Sequence, residues 1–100
     1  TGNIDNLPLK NPLLPKAQFT SDITSGIAPL AVSFTDTSIG PDIDSWAWEF
    51  GDGNTSMVQN PVYTYSNSGH YTVKLTVSNS AGSNTIAKKN YIKVTSPKGK

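Results

Sequence analysis

Apolar and polar residues alternate along most of this chain. Leu30, Val32 and Phe34 interleave with Ala31, Ser33 and Thr35, the period of two that marks a half-buried strand. Ala17, Phe19 and Ser21 set the same rhythm just upstream, and Pro29 stands where a strand can start without a backbone N–H. In the segment from Ser45 to Phe50, Trp46, Trp48 and Phe50 share one face, and Ala47 and Glu49 share the other. Tyr63 and Tyr65 lie together after a Pro-led start. The cleanest strand follows, with Tyr71, Val73, Leu75 and Val77 inward and Thr72, Lys74, Thr76 and Ser78 outward. The last strand runs over about 83–95, with Ile86, Ile92 and Val94 inward. Its phase breaks between Ala87 and Tyr91, which predicts a bulge.

No segment carries a helical period. Short strands with turn signals every 8 to 12 residues predict an all-β chain, an immunoglobulin-like β-sandwich of about seven strands. In such sandwiches a central Trp fills the core and a Tyr opening a late strand hydrogen-bonds back to the chain before it. Trp48 and Tyr71 stand where those roles fall. Residues 1–16 hold three prolines and no period, so they read as a linker or extended lead-in, from which Leu13 and Leu14 can dock on the domain. Residues 17–95 form the domain and 96–100 an exit linker.

Composition narrows the function. With 100 residues the chain makes one domain. Eight lysines, no arginine and seven acids leave a net charge of +1, which argues against a nucleic-acid or anionic-membrane binder. Without cysteine there is no thiol chemistry. No apolar run approaches the roughly 18 residues of a membrane span. No signal peptide opens the chain, so it reads as a piece of a longer protein. Ser, Thr and Asn make up 32 residues, a hydroxyl-rich skin suited to strand surfaces and turns.

The stretch Trp46 to Ser56, WAWEFGDGNTS, concentrates the chemistry worth weighing. Asp52-Gly53 suits the central positions of a type I′ hairpin turn, which both need positive φ. Gly51 lets the backbone twist or approach a neighbour, and the Asp52 carboxylate can accept N–H groups across the turn. On this reading the element is structural. The competing reading is calcium: Asp36, Asp42, Asp44, Glu49 and Asp52 fall within 17 residues with no base between them, and oxygen ligands suit that ion. Their spacing matches no EF-hand, and Asp36, Asp42 and Asp44 are the first place to look. Catalysis has less support, because the single histidine, His70, follows Ser68-Gly69 as a turn residue with no nucleophile paired to it. Asn54-Thr55-Ser56 is an N-glycosylation sequon. Trp48 reads as core; for Trp46, core packing and ligand stacking both stand open.

The stretches APLAVSFTDTS, WAWEFGDGNTS, QNPVYTYSNSGHYTVKLTVSNSAGS and YIKV, in this order and spacing, resemble the PKD domain. The resemblance covers roughly 17–95. The family's Trp-Asp-Phe-Gly-Asp-Gly signature appears as Trp48 to Gly53, with Glu49 in place of Asp. The resemblance implies an immunoglobulin-like sandwich, an extracellular setting, no catalysis and no cofactor, with Trp48, Phe50, Gly51, Asp52, Gly53, Tyr65 and Tyr71 as its structural motif. It implies a spacer and adhesion unit of the surface-layer kind, contacting neighbouring domains or other cell-surface proteins. The alternative is an accessory module of a secreted hydrolase, binding substrate or polysaccharide. Outward Ser, Thr, Lys and Glu, rather than an aromatic row, put the spacer first.

Overall fold

The computed structural model describes residues 14–97 and is all-β, without a helix among them. Its strands are β1 (Phe19–Ser21), β2 (Ser25–Ile27), β3 (Leu30–Asp36), β4 (Ser45–Glu49), β5 (Thr55–Ser56), β6 (Val62–Tyr65), β7 (Gly69–Asn79) and β8 (Gly82–Thr95). They form two sheets, β1-β3-β6 and β2-β8-β7-β4-β5, packed as an immunoglobulin-like sandwich. The count is eight rather than seven because the first strand is split. β1 pairs antiparallel with β3, the chain bends at Asp22 to Thr24, and β2 then pairs parallel with β8 in the opposite sheet.

The alternation delivers the core. Phe19, Val32, Phe34, Trp48, Phe50, Tyr65, Val73, Leu75, Val77 and Ile92 are at most 1 % exposed, and burial of such side chains is the main favourable term in folding. Eight of the nine aromatic residues, all but Trp46, form one continuous chain of ring contacts, Tyr91–Phe19–Trp48–Phe34–Phe50–Tyr63–Tyr65–Tyr71. Trp48 meets Phe19 edge-on at 5.1 Å, and Phe50 stacks flat on Tyr63 at 4.2 Å. Among the described residues the buried Trp48 ring nitrogen has no hydrogen-bond acceptor.

The phase break in β8 is a bulge. Tyr71 pairs with Ile92 and Val73 with Lys88, so residues 89–91 oppose Thr72 alone. Asn90 takes positive φ there and donates its N–H to Thr72 Oγ1 at 3.1 Å. The bulge leaves Lys88 opposite buried Val73, on the inner side. Its Nζ donates to the Phe19 carbonyl at 2.6 Å and lies over the Phe19 and Tyr91 rings. A lysine amine thus closes the seam between β1 and β8, its charge balanced by a carbonyl dipole and two ring faces.

The chain enters and leaves at opposite poles. Lys16 exchanges two backbone hydrogen bonds with Ile39 (2.7 and 3.0 Å), and Pro15 abuts Gly40, beside the turn at Gly82. Lys16 makes the first backbone pairing among the described residues. At the far pole β8 ends at Thr95, paired with Ile27. Leu14 is exposed but lies against Gly82. Leu13 and the rest of the lead-in through residue 13, like 98–100, fall outside the described residues.

Candidate functional site

The Gly51–Gly53 loop joins β4 to β5, and Phe50 N–H donates to the Asn54 carbonyl at 3.1 Å. The expected type I′ turn is not what forms. Gly51 and Gly53 both take positive φ (96° and 97°), while Asp52 between them does not. The three-residue loop uses its two glycines where a two-residue turn would have used Asp52 and Gly53. Asp52 instead acts through its side chain: Oδ1 accepts the Asn54 N–H at 3.1 Å, and Oδ2 accepts the Tyr63 hydroxyl. Tyr63 in turn accepts from Asn54 Nδ2 at 2.6 Å. Burial, and then the bond to Asp52, push the Tyr63 phenol above its usual range.

This trio ties the hairpin of one sheet to β6 of the other. Beneath it, buried Tyr65 donates its hydroxyl to the Phe50 carbonyl at 2.8 Å; burial, more than the neighbouring Asp52 charge, pushes this phenol up. Tyr71 donates to the Asn67 carbonyl at 2.7 Å, the geometry of a tyrosine corner. Asn54, the sequon residue, is exposed on the loop.

The acids of the calcium reading are dispersed. Asp36 ends β3 with its carboxylate occupied: Oδ1 accepts the Ser38 N–H at 2.9 Å, and Oδ2 accepts Trp46 Nε1 at 2.8 Å and Gln59 Nε2 at 3.1 Å. Burial pushes Asp36 up, but the hydrogen bonds from Ser38, Gln59 and Trp46 together outweigh it and hold the carboxyl below its usual value. Asp42 and Asp44 lie on the loop toward β4, Asp42 with positive φ. Among the described residues no three of His, Cys, Asp and Glu gather in a way that could hold a metal. Trp46 is half-buried against the core, its N–H held by Asp36, so it is not a free stacking platform. His70 is exposed at the start of β7, paired across the sheet with Lys93.

A groove of about 290 Å³ opens beside the hairpin, lined by Glu49, Gly51, Gly53, Asn54, Thr55, Thr72 and Lys74. Glu49 and Lys74 are direct cross-strand partners. The lining has hydroxyls, an amide, one carboxylate, one ammonium and glycine backbone, but no aromatic ring. It can hydrogen-bond a polar ligand. The strand reading from sequence missed this groove because its walls come from residues about 20 apart in the chain.

The model of the PKD domain family matches residues 10–94. Collagenase ColA of Clostridium perfringens is 39% identical over 79 residues, covering 75% of this chain and 7% of the collagenase. The PKD1 domain of the Vibrio cholerae metalloprotease PrtV superposes with a TM-score of 0.69 and 35% identity, over 82% of this chain and 98% of that domain. A solved structure of carbohydrate-binding modules from the β-sandwich superfamily gives a TM-score of 0.77 and 35% identity, over 87% of this chain and 36% of that one. The chain thus spans only a small part of the curated collagenase it matches.

Proposed function

The chain belongs to the PKD domain family, and from that premise we propose that it serves as a non-catalytic spacer in a longer extracellular protein, holding its neighbouring domains apart. The observation that carries this reading is the path of the chain. It enters at the pole of Ile39 and Gly82, leaves at the pole of Ile27, and has its entering strand β2 paired parallel with its leaving strand β8. Tension between the two poles loads that pairing in shear, so its hydrogen bonds, among them Ala28 N–H to Thr95 O and Lys93 N–H to Thr24 O (both 2.8 Å), share the load. Adhesion to other cell-surface proteins is the narrower form of this reading, and a glycan on exposed Asn54 is compatible with it.

Single-molecule pulling tests the proposal, and the absence of native cysteine makes handles simple to place. The pair Leu14→Cys and Ser96→Cys pulls from pole to pole; Ser68→Cys with Ser96→Cys peels β7 from β8 at one pole. The spacer reading expects a clearly higher unfolding force in the first geometry. Equal forces would count against it.

A second reading has its own support. The collagenase and metalloprotease among the relatives, and the carbohydrate-binding-module structure among the neighbours, favour an accessory module that holds substrate for a hydrolase, and the groove at Glu49 and Lys74 gives it a place to bind. Pull-down on insoluble collagen, chitin or cellulose tests this reading directly.

A further inference from the structure

The balanced net charge conceals a one-sided distribution. Of the five lysines among the described residues, four (Lys74, Lys88, Lys89 and Lys93) lie on β7 and β8. Lys88 faces inward at the seam. Lys74, Lys89 and Lys93 are exposed, and their ammonium groups make no hydrogen bond or ion pair among the described residues. The acids lie elsewhere. Asp22 is bonded to Ser33 of the three-stranded sheet, Asp36 to Trp46, Ser38 and Gln59, and Asp52 to Tyr63; Asp42 and Asp44 are on the loop at the entry pole. Glu49 alone joins the lysines on the five-stranded sheet, opposite Lys74.

The cross-strand neighbours of Lys74 and Lys93 are small or polar. Lys93 stands between Ser25 and His70, and Lys74 between Ala87 and Glu49, with the Thr76–Thr85 hydroxyl pair one step further along. Hydroxyls of Ser25, Thr76 and Thr85 thus stand beside ammonium groups spread over about 13 Å of strand. This surface is continuous with the groove, which shares Lys74, Thr72 and Glu49 with it.

We propose that the outer face of the five-stranded sheet binds an acidic polysaccharide. Lys74, Lys89 and Lys93 take its carboxylate or sulfate groups, and the groove at Asn54, Thr55 and Thr72 takes neutral sugar hydroxyls. Charge complementarity selects the polyanion. The hydroxyl and amide lining of the groove selects a sugar over a lipid surface, since Ile27, exposed at the β2 edge, is a single apolar side chain and not an apolar face. Lysine without arginine, and no aromatic ring for base stacking, argue against nucleic acid. The proposal rests on the accessory-module reading and names the class of polymer it would hold.

Affinity electrophoresis of the whole chain through gels containing polygalacturonate, heparin or neutral dextran tests it, with duplex DNA as a further arm. The expected result is retardation by both acidic polysaccharides, none by dextran, and weakening as salt rises. The triple variant K74Q/K89Q/K93Q should lose about tenfold in apparent affinity, the sum of three exposed charge contacts, while Lys16→Gln, off this face, keeps wild-type retardation. Glu49→Gln should bind more tightly. An unchanged triple variant, equal retardation by dextran, or tighter binding to DNA would each overturn the proposal. The insoluble-polymer pull-down separates the two failures. Capture on chitin, cellulose or collagen without retardation by acidic gels sinks this proposal and leaves the accessory reading standing; no binding in any arm sinks both. Matched denaturation midpoints for wild type and triple variant confirm that lost binding is not lost folding.

Discussion

Gly51 lies flat against the backbone of Thr72. A Cβ on Gly51 would sit 2.6 Å from the Thr72 carbonyl oxygen and 2.9 Å from its nitrogen. Backbone cannot swing aside as a side chain can, so the hairpin between β4 and β5 is docked on β7 through a contact only glycine permits. Gly53, with nearly the same φ, would meet nothing within 4 Å. The two glycines therefore separate a conformational effect from a steric one. Gly53→Ala is expected to cost about 1 kcal/mol, the penalty for a Cβ at positive φ. Gly51→Ala should cost about 3 kcal/mol or more, because a backbone clash is added. Urea denaturation of the two variants side by side checks the ordering.

Trp48 sits at the centre of the aromatic chain, fully buried and in ring contact with Phe19, Phe34 and Phe50. Trp48→Ala should lose about 3–5 kcal/mol, a large part of a small domain's stability. Trp48→Phe should lose distinctly less. It leaves a smaller cavity, and it removes an indole N–H that has no acceptor among the described residues, which recovers part of the loss. Equal losses for the two variants, by equilibrium unfolding, would refute both the smaller cavity and the recovery from the buried N–H.

Asp36 gives the chain an acid-sensitive joint. Its folded-state carboxyl is held low, so its contribution is present above the unfolded value of about 3.9 and is lost as pH falls through the lower folded value. Asp36→Asn keeps the shape but loses the charge that receives Trp46 and Gln59. The variant should be less stable than wild type at pH 7, and the gap should narrow as pH is taken from about 4 downward. Thermal midpoints of both proteins across that range supply the measurement; a gap independent of pH would refute the assignment.

The Asp52–Tyr63–Asn54 trio should behave as one unit. Asp52→Ala removes the acceptor for both the Asn54 N–H and the Tyr63 hydroxyl, and is expected to cost roughly 1–2 kcal/mol. Tyr63→Phe removes the hydroxyl alone and should cost less. The double variant should lose less than the sum of the two, since they share a bond. Additive losses in a double-mutant cycle would show the Tyr63–Asp52 bond to contribute nothing.

Much of this architecture could be read from alternation, because a strand with one buried face carries its own label. Phe19, Val32, Phe34, Trp48, Tyr65, Leu75 and Val94 are all inward where the period of two put them, and the broken phase before Tyr91 marked a real bulge. Other features depend on partners distant in sequence. That the first strand divides between two sheets follows from what β3 and β8 offer on either side of Asp22 to Thr24, and no pattern within that strand records it. Asp52-Gly53 looked like a type I′ turn because local preference favours it; contact with Thr72 gave the first positive-φ position to Gly51 instead. The lysine face was hidden for a similar reason. Lys74 is near Lys89 and Lys93 only once β7 and β8 are in register, so a count of charges shows balance where the surface has none.

The split first strand bears on where such a domain can be cut. A boundary drawn after Thr24 would keep β2 and the parallel pairing with β8, and so look complete by its five-stranded sheet. It would also remove Phe19, whose ring touches Phe34, Trp48 and Tyr91 and whose carbonyl receives the Lys88 amine. Fragments for expression, and graft points for fusing this unit to another protein, belong upstream of Lys16, where the first backbone bridge among the described residues is made.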